Sequence, residues 1–374
     1  MAHRLVIVVG TRPNFVKVAP VWHALGEMCD LELTLLHTGQ HYDEALSDRF
    51  LDQLALPDPD VFLGVGSGSH AEQTAAAMVG VERHLREQPA DAILVAGDVN
   101  STLAASLAAA KLGVPIIHLE SGLRSGDWTM PEEINRVLTD RMADLLLCPG
   151  EDARDNLERE GIPRARIAVI GNTMIDSLER LLPVALTRSP RAAMGVEARG
   201  YVLATLHRPA VVDDSERLRA TIDALGRLAG ELPVLLPLHP RTRERMQRSD
   251  TGVPAGITAL EPLGYLDFIA LEAEARLVVT DSGGVQEETT ALGVPCLTYR
   301  TSTERPVTIA VGTNVLVGVD PGRLIDLGRE VLTTEMPCRP PVIPLWDGAA
   351  GGRAATAIVG ALADVPAQER LDPA

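Results

Sequence analysis

Aromatic side chains are scarce in this chain: four Phe, four Tyr and three Trp make up 3% of 374 residues, so the core must be aliphatic and each aromatic merits inspection. Cysteine is almost as rare. Cys29, Cys148, Cys296 and Cys338 show neither a CxxC spacing nor a paired His pattern, which excludes a recognisable zinc site or disulfide framework and leaves buried free thiols. Long apolar runs are missing too. The stretch in MAHRLVIVVG ends at Thr-Arg-Pro, too short for a signal peptide and far short of the ~20 residues of a membrane span, so no membrane partner and a cytoplasmic location are expected. Positive charge is in deficit, with 34 Lys and Arg against 51 Asp and Glu and a formal net charge of -17. A nucleic-acid partner needs a basic footprint and is disfavoured, whereas a small anionic ligand needs only a local cationic site. No GxGxxG follows the first strand, and GSGSH at 66–70 precedes no phosphate-loop lysine, so a dinucleotide redox enzyme is disfavoured as well.

Runs rich in Val, Ile and Leu alternate with longer segments of helical period, the pattern of parallel sheets covered on both faces. RLVIVV, LELTLLHTG, AILVAGD, PIIHLE, DLLLC and IAVIG form one set, and YVLATLH, PVLLPLH, LVVTDSGG, PCLTY and NVLVG a second. The fold class expected is α/β, with two Rossmann-like doubly wound domains facing a cleft. The boundaries expected are an N-terminal domain over 1–181, a linker over 182–200, a C-terminal domain over 201–352, and a final helix and tail over 353–374 that can cross back to the first domain.

Ligands of such sheets sit beyond the carboxyl ends of strands, so the polar residues there are the candidates. Asp98 ends AILVAGD and Glu120 ends PIIHLE, two carboxylates that neighbouring strands can aim into one crevice for acid–base work. GTRPNFVK brings Arg12 and Lys17 to the edge of the first sheet, as phosphate partners or as plain surface charge. In MPEEINR, Glu132 and Arg136 lie four apart on one helix face, which an ordinary helix-start ion pair also explains. His207 and His239 follow strands of the second set. Ser282, Gly283 and Gly284 open a helix directly after a strand, where backbone N–H groups can hold a diphosphate or simply make a turn. Glu288 stands about one turn further, and Phe268 precedes that strand, fit for base stacking or for the core.

In order along the chain, GTRPNFVK, TGQHYDE, GDVNSTLAA, HLESGLRSGDWTMPEEINR, GNTMIDSL, LHRP, LHP, LGYLDF, DSGGVQEE, TERP and GTNVLVG resemble the non-hydrolysing UDP-N-acetylglucosamine 2-epimerases over about residues 5 to 360. The resemblance implies a glycosyltransferase-B-like fold, usually homodimeric, with a UDP-sugar substrate and neither a cofactor nor a metal. It implies an isomerase of glycan biosynthesis that interconverts UDP-GlcNAc and UDP-ManNAc: a base takes the C2 proton, UDP leaves C1, a 2-acetamidoglucal forms, and UDP adds back with a proton on the opposite face. Asp98, Glu120 and Glu132 then match the catalytic carboxylates and His207 a histidine of catalysis or diphosphate binding. Arg12 and Lys17 match phosphate-side residues; Ser282, Gly283 and Gly284 the diphosphate cradle; Glu288 the ribose ligand; Phe268 the uracil side. Arg136 and His239 complete the polar site, and Gln40 and His41 match positions that hold an allosteric second UDP-GlcNAc.

Three positions depart from the family pattern: Asn14, Ala210 and Val307 stand where the family usually has Glu. Ala and Val cannot hydrogen-bond, so a different or modified nucleotide sugar is an open alternative. A hydrolysing 2-epimerase, a glycosyltransferase of the same fold and a non-catalytic nucleotide-sugar binder are the others.

Overall fold

The short aliphatic runs become parallel strands because β-branched and leucine side chains can be buried on both faces of a sheet. A computed structural model describes residues 2–28, 31–40, 50–334 and 340–363. In the first sheet these are β1 (His3–Val9), β2 (Leu31–His37), β3 (Val61–Phe62), β4 (Ala92–Ala96), β5 (Ile116–Leu119), β6 (Leu145–Cys148) and β7 (Ile167–Val169). Their spatial order is β3-β2-β1-β4-β5-β6-β7, every pair parallel. The second sheet holds β8 (Val202–Thr205), β9 (Val234–Pro237), β10 (Ile257–Leu260), β11 (Leu277–Thr280), β12 (Cys296–Thr298) and β13 (Asn314–Leu316). Its order is β10-β9-β8-β11-β12-β13, again all parallel. The order in which strands are added therefore reverses once in each sheet, between β1 and β4 and between β8 and β11. At such a switch point the loops diverge to opposite faces and leave a crevice at the carboxyl ends.

Two strands were not foreseen, β3 and β10. Both are edge strands; β3 is only two residues long and β10 is exposed at its two central residues, so neither shows as a sustained apolar run. The chain divides into one unit of Met1–Ser177 with Pro344–Ala374 and a second of Leu178–Ile343. The first boundary falls within the helix Thr173–Arg188, which tolerates Pro183, and Pro190 opens the short helix Pro190–Ala193 that follows. The stretch read as a connector is thus more than half helical: Pro190, at a first helical turn, forfeits no bond that its helix would make, and the helix Thr173–Arg188 runs on past Pro183.

The helix Ala350–Ala363 lies in the first unit and packs on the helix Arg12–Gly26. Its Gly351 N–H donates to Asp176 Oδ2 at 2.7 Å, and Arg353 Nε donates to Ile170 O at 2.6 Å. The first unit's core gathers Val6, Val8, Ile93, Val95, Ile116 and Leu146, and that of the second Val202, Ala204, Leu236, Leu277, Val279 and Leu297. Burial pushes the Cys148 and Cys296 thiols up to about 12, as inert core residues. Among the described residues no helix is long and apolar enough to cross a membrane, and no group of three or more His, Cys, Asp and Glu is placed to hold a metal.

Candidate functional site

In the first unit the switch point is lined by the residues that follow β1, β4 and β5. Thr11 caps the helix Arg12–Gly26, and Lys17, one turn in, forms an ion pair with Glu120 just past β5. The two side chains are 10% and 8% exposed. Glu120 adopts φ +68, a left-handed conformation that a non-glycine residue keeps only when its surroundings enforce it. Gly97, also left-handed at φ +65, makes room: a Cβ there would lie 3.0 Å from Lys17 Nζ and 3.2 Å from Glu120 Oε2.

Asp98 follows at once, and its Oδ2 meets Arg136 Nη2 at 2.6 Å. Arg136 is 2% exposed and comes from the helix Pro131–Met142, whose Asn135 also donates to Asp98 O at 2.8 Å. β4 and β5 are neighbours, so Asp98 and Glu120 follow adjacent strand ends. Each carboxylate faces a buried cation, which balances its charge in the ionised, proton-accepting form.

The helix-start ion pair expected between Glu132 and Arg136 does not form. Arg136 Nε donates to the Glu132 carbonyl at 3.1 Å instead, and its Nη1 sits 3.6 Å from Glu133 Oε2. Glu132 is half-buried. Glu133, not foreseen, is the buried acid of the pair. It accepts from the Ser125 N–H at 2.9 Å, the Ser125 hydroxyl at 3.0 Å and the Gly126 N–H at 2.9 Å, fixing the loop before the helix. Arg12 is half-buried at the N-terminus of its helix.

Asn14 is buried, its Oδ1 accepting from the Gly10 and Thr11 N–H groups at 3.1 and 3.0 Å and its Nδ2 donating to Ala96 O at 2.9 Å. It is a capping residue with its polar atoms engaged. Gln40 is engaged likewise, Oε1 accepting from the Ser101 hydroxyl at 2.8 Å. His41 lies outside the described residues.

In the second unit His207 and Arg208 follow β8, and Asp281 follows β11. Asp281 is wholly buried and accepts from the His207 and Arg208 N–H groups at 2.9 and 2.8 Å, with His207 Nδ1 2.9 Å from its other oxygen. Burial opposes its charge, but the His207 ring and these N–H groups outweigh it and hold the carboxyl below its ordinary range. With Nδ1 turned to Asp281, Nε2 is the nitrogen left for a ligand on a side chain 40% exposed. The His239 ring lies 5.7 Å away and caps the helix Pro240–Arg248, its Nδ1 accepting from the Arg241 N–H at 3.2 Å.

Ser282, Gly283 and Gly284 are half-buried at the start of the helix Gly283–Leu292, where the Ser282 side chain makes no capping bond. The first N–H groups there suit an anion. A Cβ on Gly283 would lie 2.6 Å from Arg305 Nη1 and 2.8 Å from Glu304 Oε1. These belong to a buried charge network that sequence alone did not reveal: Arg300 forks onto Glu304 at 3.2 and 2.6 Å, and Arg305 Nε meets Glu287 at 2.9 Å.

Burial works against the Glu304 charge, yet Arg305 and Arg300 hold it well below the usual carboxylate range. Glu288 differs. Buried beside Tyr265, whose hydroxyl donates at 2.8 Å, its carboxyl is pushed up to about 7 by burial. Glu272, also wholly buried, is raised well above its ordinary value by burial and by Glu288. Phe268 is half-buried and packs on the core of Leu203, Leu235, Leu271 and Val278. Ala210 is exposed and Val307 half-buried.

The family model described as UDP-N-acetylglucosamine 2-epimerase matches residues 23–359. The UDP-N-acetylglucosamine 2-epimerase of Methanocaldococcus jannaschii is 41% identical over 331 residues, 86% of this chain and 90% of that protein. Equally similar, at 41% over 335 residues and with 88% and 92% covered, is the UDP-2,3-diacetamido-2,3-dideoxy-D-glucuronate 2-epimerase of Pseudomonas aeruginosa. The crystal structure of the M. jannaschii UDP-GlcNAc 2-epimerase in complex with UDP-GlcNAc and UDP superposes with a TM-score of 0.90 at 38% identity, covering 96% of this chain and 99% of that one.

Proposed function

The chain belongs to the UDP-N-acetylglucosamine 2-epimerase family, whose members are isomerases with the glycosyltransferase-B-like fold, and we propose that it interconverts UDP-GlcNAc and UDP-ManNAc without hydrolysis. The observation that carries this reading is the pair of carboxylates on adjacent strand ends, Asp98 with Arg136 and Glu120 with Lys17. Epimerisation at C2 needs one group to take a proton from one face and another to return it to the other. Asp98, Glu120 and Glu132 are the candidates. The electron pair of the C2–H bond forms the C1–C2 double bond of a 2-acetamidoglucal as the C1–O bond breaks and UDP departs with that bonding pair. UDP then adds back to C1 while C2 is reprotonated on the opposite face.

The second unit supplies the leaving-group contacts. The helix start at Ser282, Gly283 and Gly284, with His207 Nε2, stabilises the departing diphosphate, and Glu288 receives the ribose diol. Arg12, His239 and Phe268 complete the nucleotide and phosphate contacts, and Gln40 and His41 an activator site. The working form is a cytoplasmic homodimer that needs no cofactor.

The equal likeness to the Pseudomonas aeruginosa enzyme, together with Ala210 and Val307, favours as second reading the same reaction on a modified nucleotide sugar. Proton NMR in deuterated water with each of the two UDP-sugars tests both. Deuterium at C2 with the manno epimer of UDP-GlcNAc is the outcome expected; exchange only in the diacetamido uronate selects the second reading. Free N-acetylmannosamine with UDP, or no exchange in either sugar, overturns the proposal.

A further inference from the structure

Beneath the proposed proton-transfer groups lies a buried titratable side chain to which the mechanism assigns no part. His118, on β5, is 0% exposed. Its Nε2 lies 2.8 Å from Gly97 O and its Nδ1 2.6 Å from Asp140 Oδ1. A backbone carbonyl only accepts, so Nε2 carries a hydrogen. The other Asp140 oxygen accepts from the Gly122 N–H at 3.0 Å and from Arg124 Nη1 at 2.7 Å. A guanidinium and an amide on that oxygen favour the ionised carboxylate, which then accepts from Nδ1 as well. Hydrogen-bond accounting thus gives a ring protonated at both nitrogens.

The same ring joins the three elements that carry the candidate acids. It belongs to β5, whose end bears Glu120. Through Gly97 O it holds the peptide directly before Asp98, at the glycine whose missing Cβ leaves room for Lys17 and Glu120. Through Asp140 it holds the helix Pro131–Met142, one turn beyond Arg136 and two beyond Glu132. A core histidine without such a task needs one donor and one acceptor, not a buried ion pair, which packing alone does not favour.

We propose that His118 is a buried imidazolium, clamped by Asp140, that acts as the positioning residue for Asp98 and Glu120 and sets an oriented ion pair beneath them. The positioning role rests on the assignment of those acids to proton transfer; the charge state does not. The neighbouring cations already balance each acid, so the imidazolium acts on their placement and on the field in which they exchange protons.

Two measurements test this. In protein labelled with ¹⁵N-histidine, both ring nitrogens of His118 should carry protons at neutral pH, with one far-downfield, slowly exchanging N–H resonance that His118→Gln removes. A neutral ring with one bare nitrogen overturns the proposal, and this readout needs no catalytic activity, the His118→Gln spectrum serving only to assign the resonance. Second, His118→Gln and Asp140→Asn should each slow C2 deuterium exchange by about 100-fold, the loss expected from a misplacement of roughly 1 Å, while UDP affinity stays unchanged. The double variant should be no slower than the worse single one, because both act through one chain of contacts. Exchange at the unaltered rate in His118→Gln, or a parallel loss of UDP binding and exchange, overturns the positioning role. A wild-type protein that leaves C2 untouched overturns the proposed reaction and the positioning role with it, while the NMR spectrum alone still decides the imidazolium.

Discussion

Glu288 shows how burial acts on a single side chain. Its carboxyl rises from 4.5 to about 7, chiefly through burial, with the Tyr265 hydroxyl opposing and the charge of Glu287 adding to the rise. Between those values the native state binds more protons than the unfolded chain, so its contribution to stability falls as pH increases through that window. Glu288→Gln should therefore melt like the wild type near about pH 5 and several degrees higher near about pH 8, measured by differential scanning fluorimetry. The same ionisation bears on the proposed ribose contact. A diol donates better to a carboxylate than to a carboxylic acid, so UDP affinity by calorimetry should weaken as pH falls through about 7 and lose that dependence in Glu288→Gln. At Asp281 the expected change is in rate. Asp281→Asn removes the charge that orients His207 and should lower C2 exchange by about 100-fold, as measured by single-turnover kinetics.

For whole elements, the helix Gly283–Leu292 is the clearest case. Gly283→Ala drives a methyl group to within 2.6 Å of Arg305 Nη1, so the buried network must shift; a loss of about 1–3 kcal/mol in urea unfolding, with weaker UDP binding, is expected. Elements also mark the limit of what the sequence discloses. β4 and β11 were legible because five consecutive aliphatic residues in the first, and Leu-Val-Val-Thr before a Ser-Gly-Gly turn in the second, admit few other readings, and the acids that follow them stand out for the same reason. β3 and β10 were not, since β3 is only two residues long and β10 exposes its two central side chains. Glu133, Asp140 and Glu304 escaped notice for another reason: each is one of 51 acidic residues, and only folding shows that it is buried. Arg136 makes the point in reverse, since its local spacing suggested Glu132 while its partner Asp98 lies 38 positions back, across the 2.6 Å contact.

Taken as a whole molecule, the chain has one continuous unit inserted into a discontinuous one. Ala354, Ala355, Ile358 and Leu362 of the returning helix Ala350–Ala363 are 2% exposed or less. A chain cut after Ile343 should lose the cooperative melting of the first unit and keep that of the second, which calorimetry resolves as the disappearance of one of two transitions. The order of synthesis then matters. On the ribosome, the segments of the first unit emerge earliest, yet the helix that covers Arg12–Gly26 is translated only after the entire second unit. The half carrying Asp98 and Glu120 must wait, with an apolar helix face uncovered, while the half made later can complete its fold first. For this protein, nascent-chain chaperones have most to protect in the part that is born first.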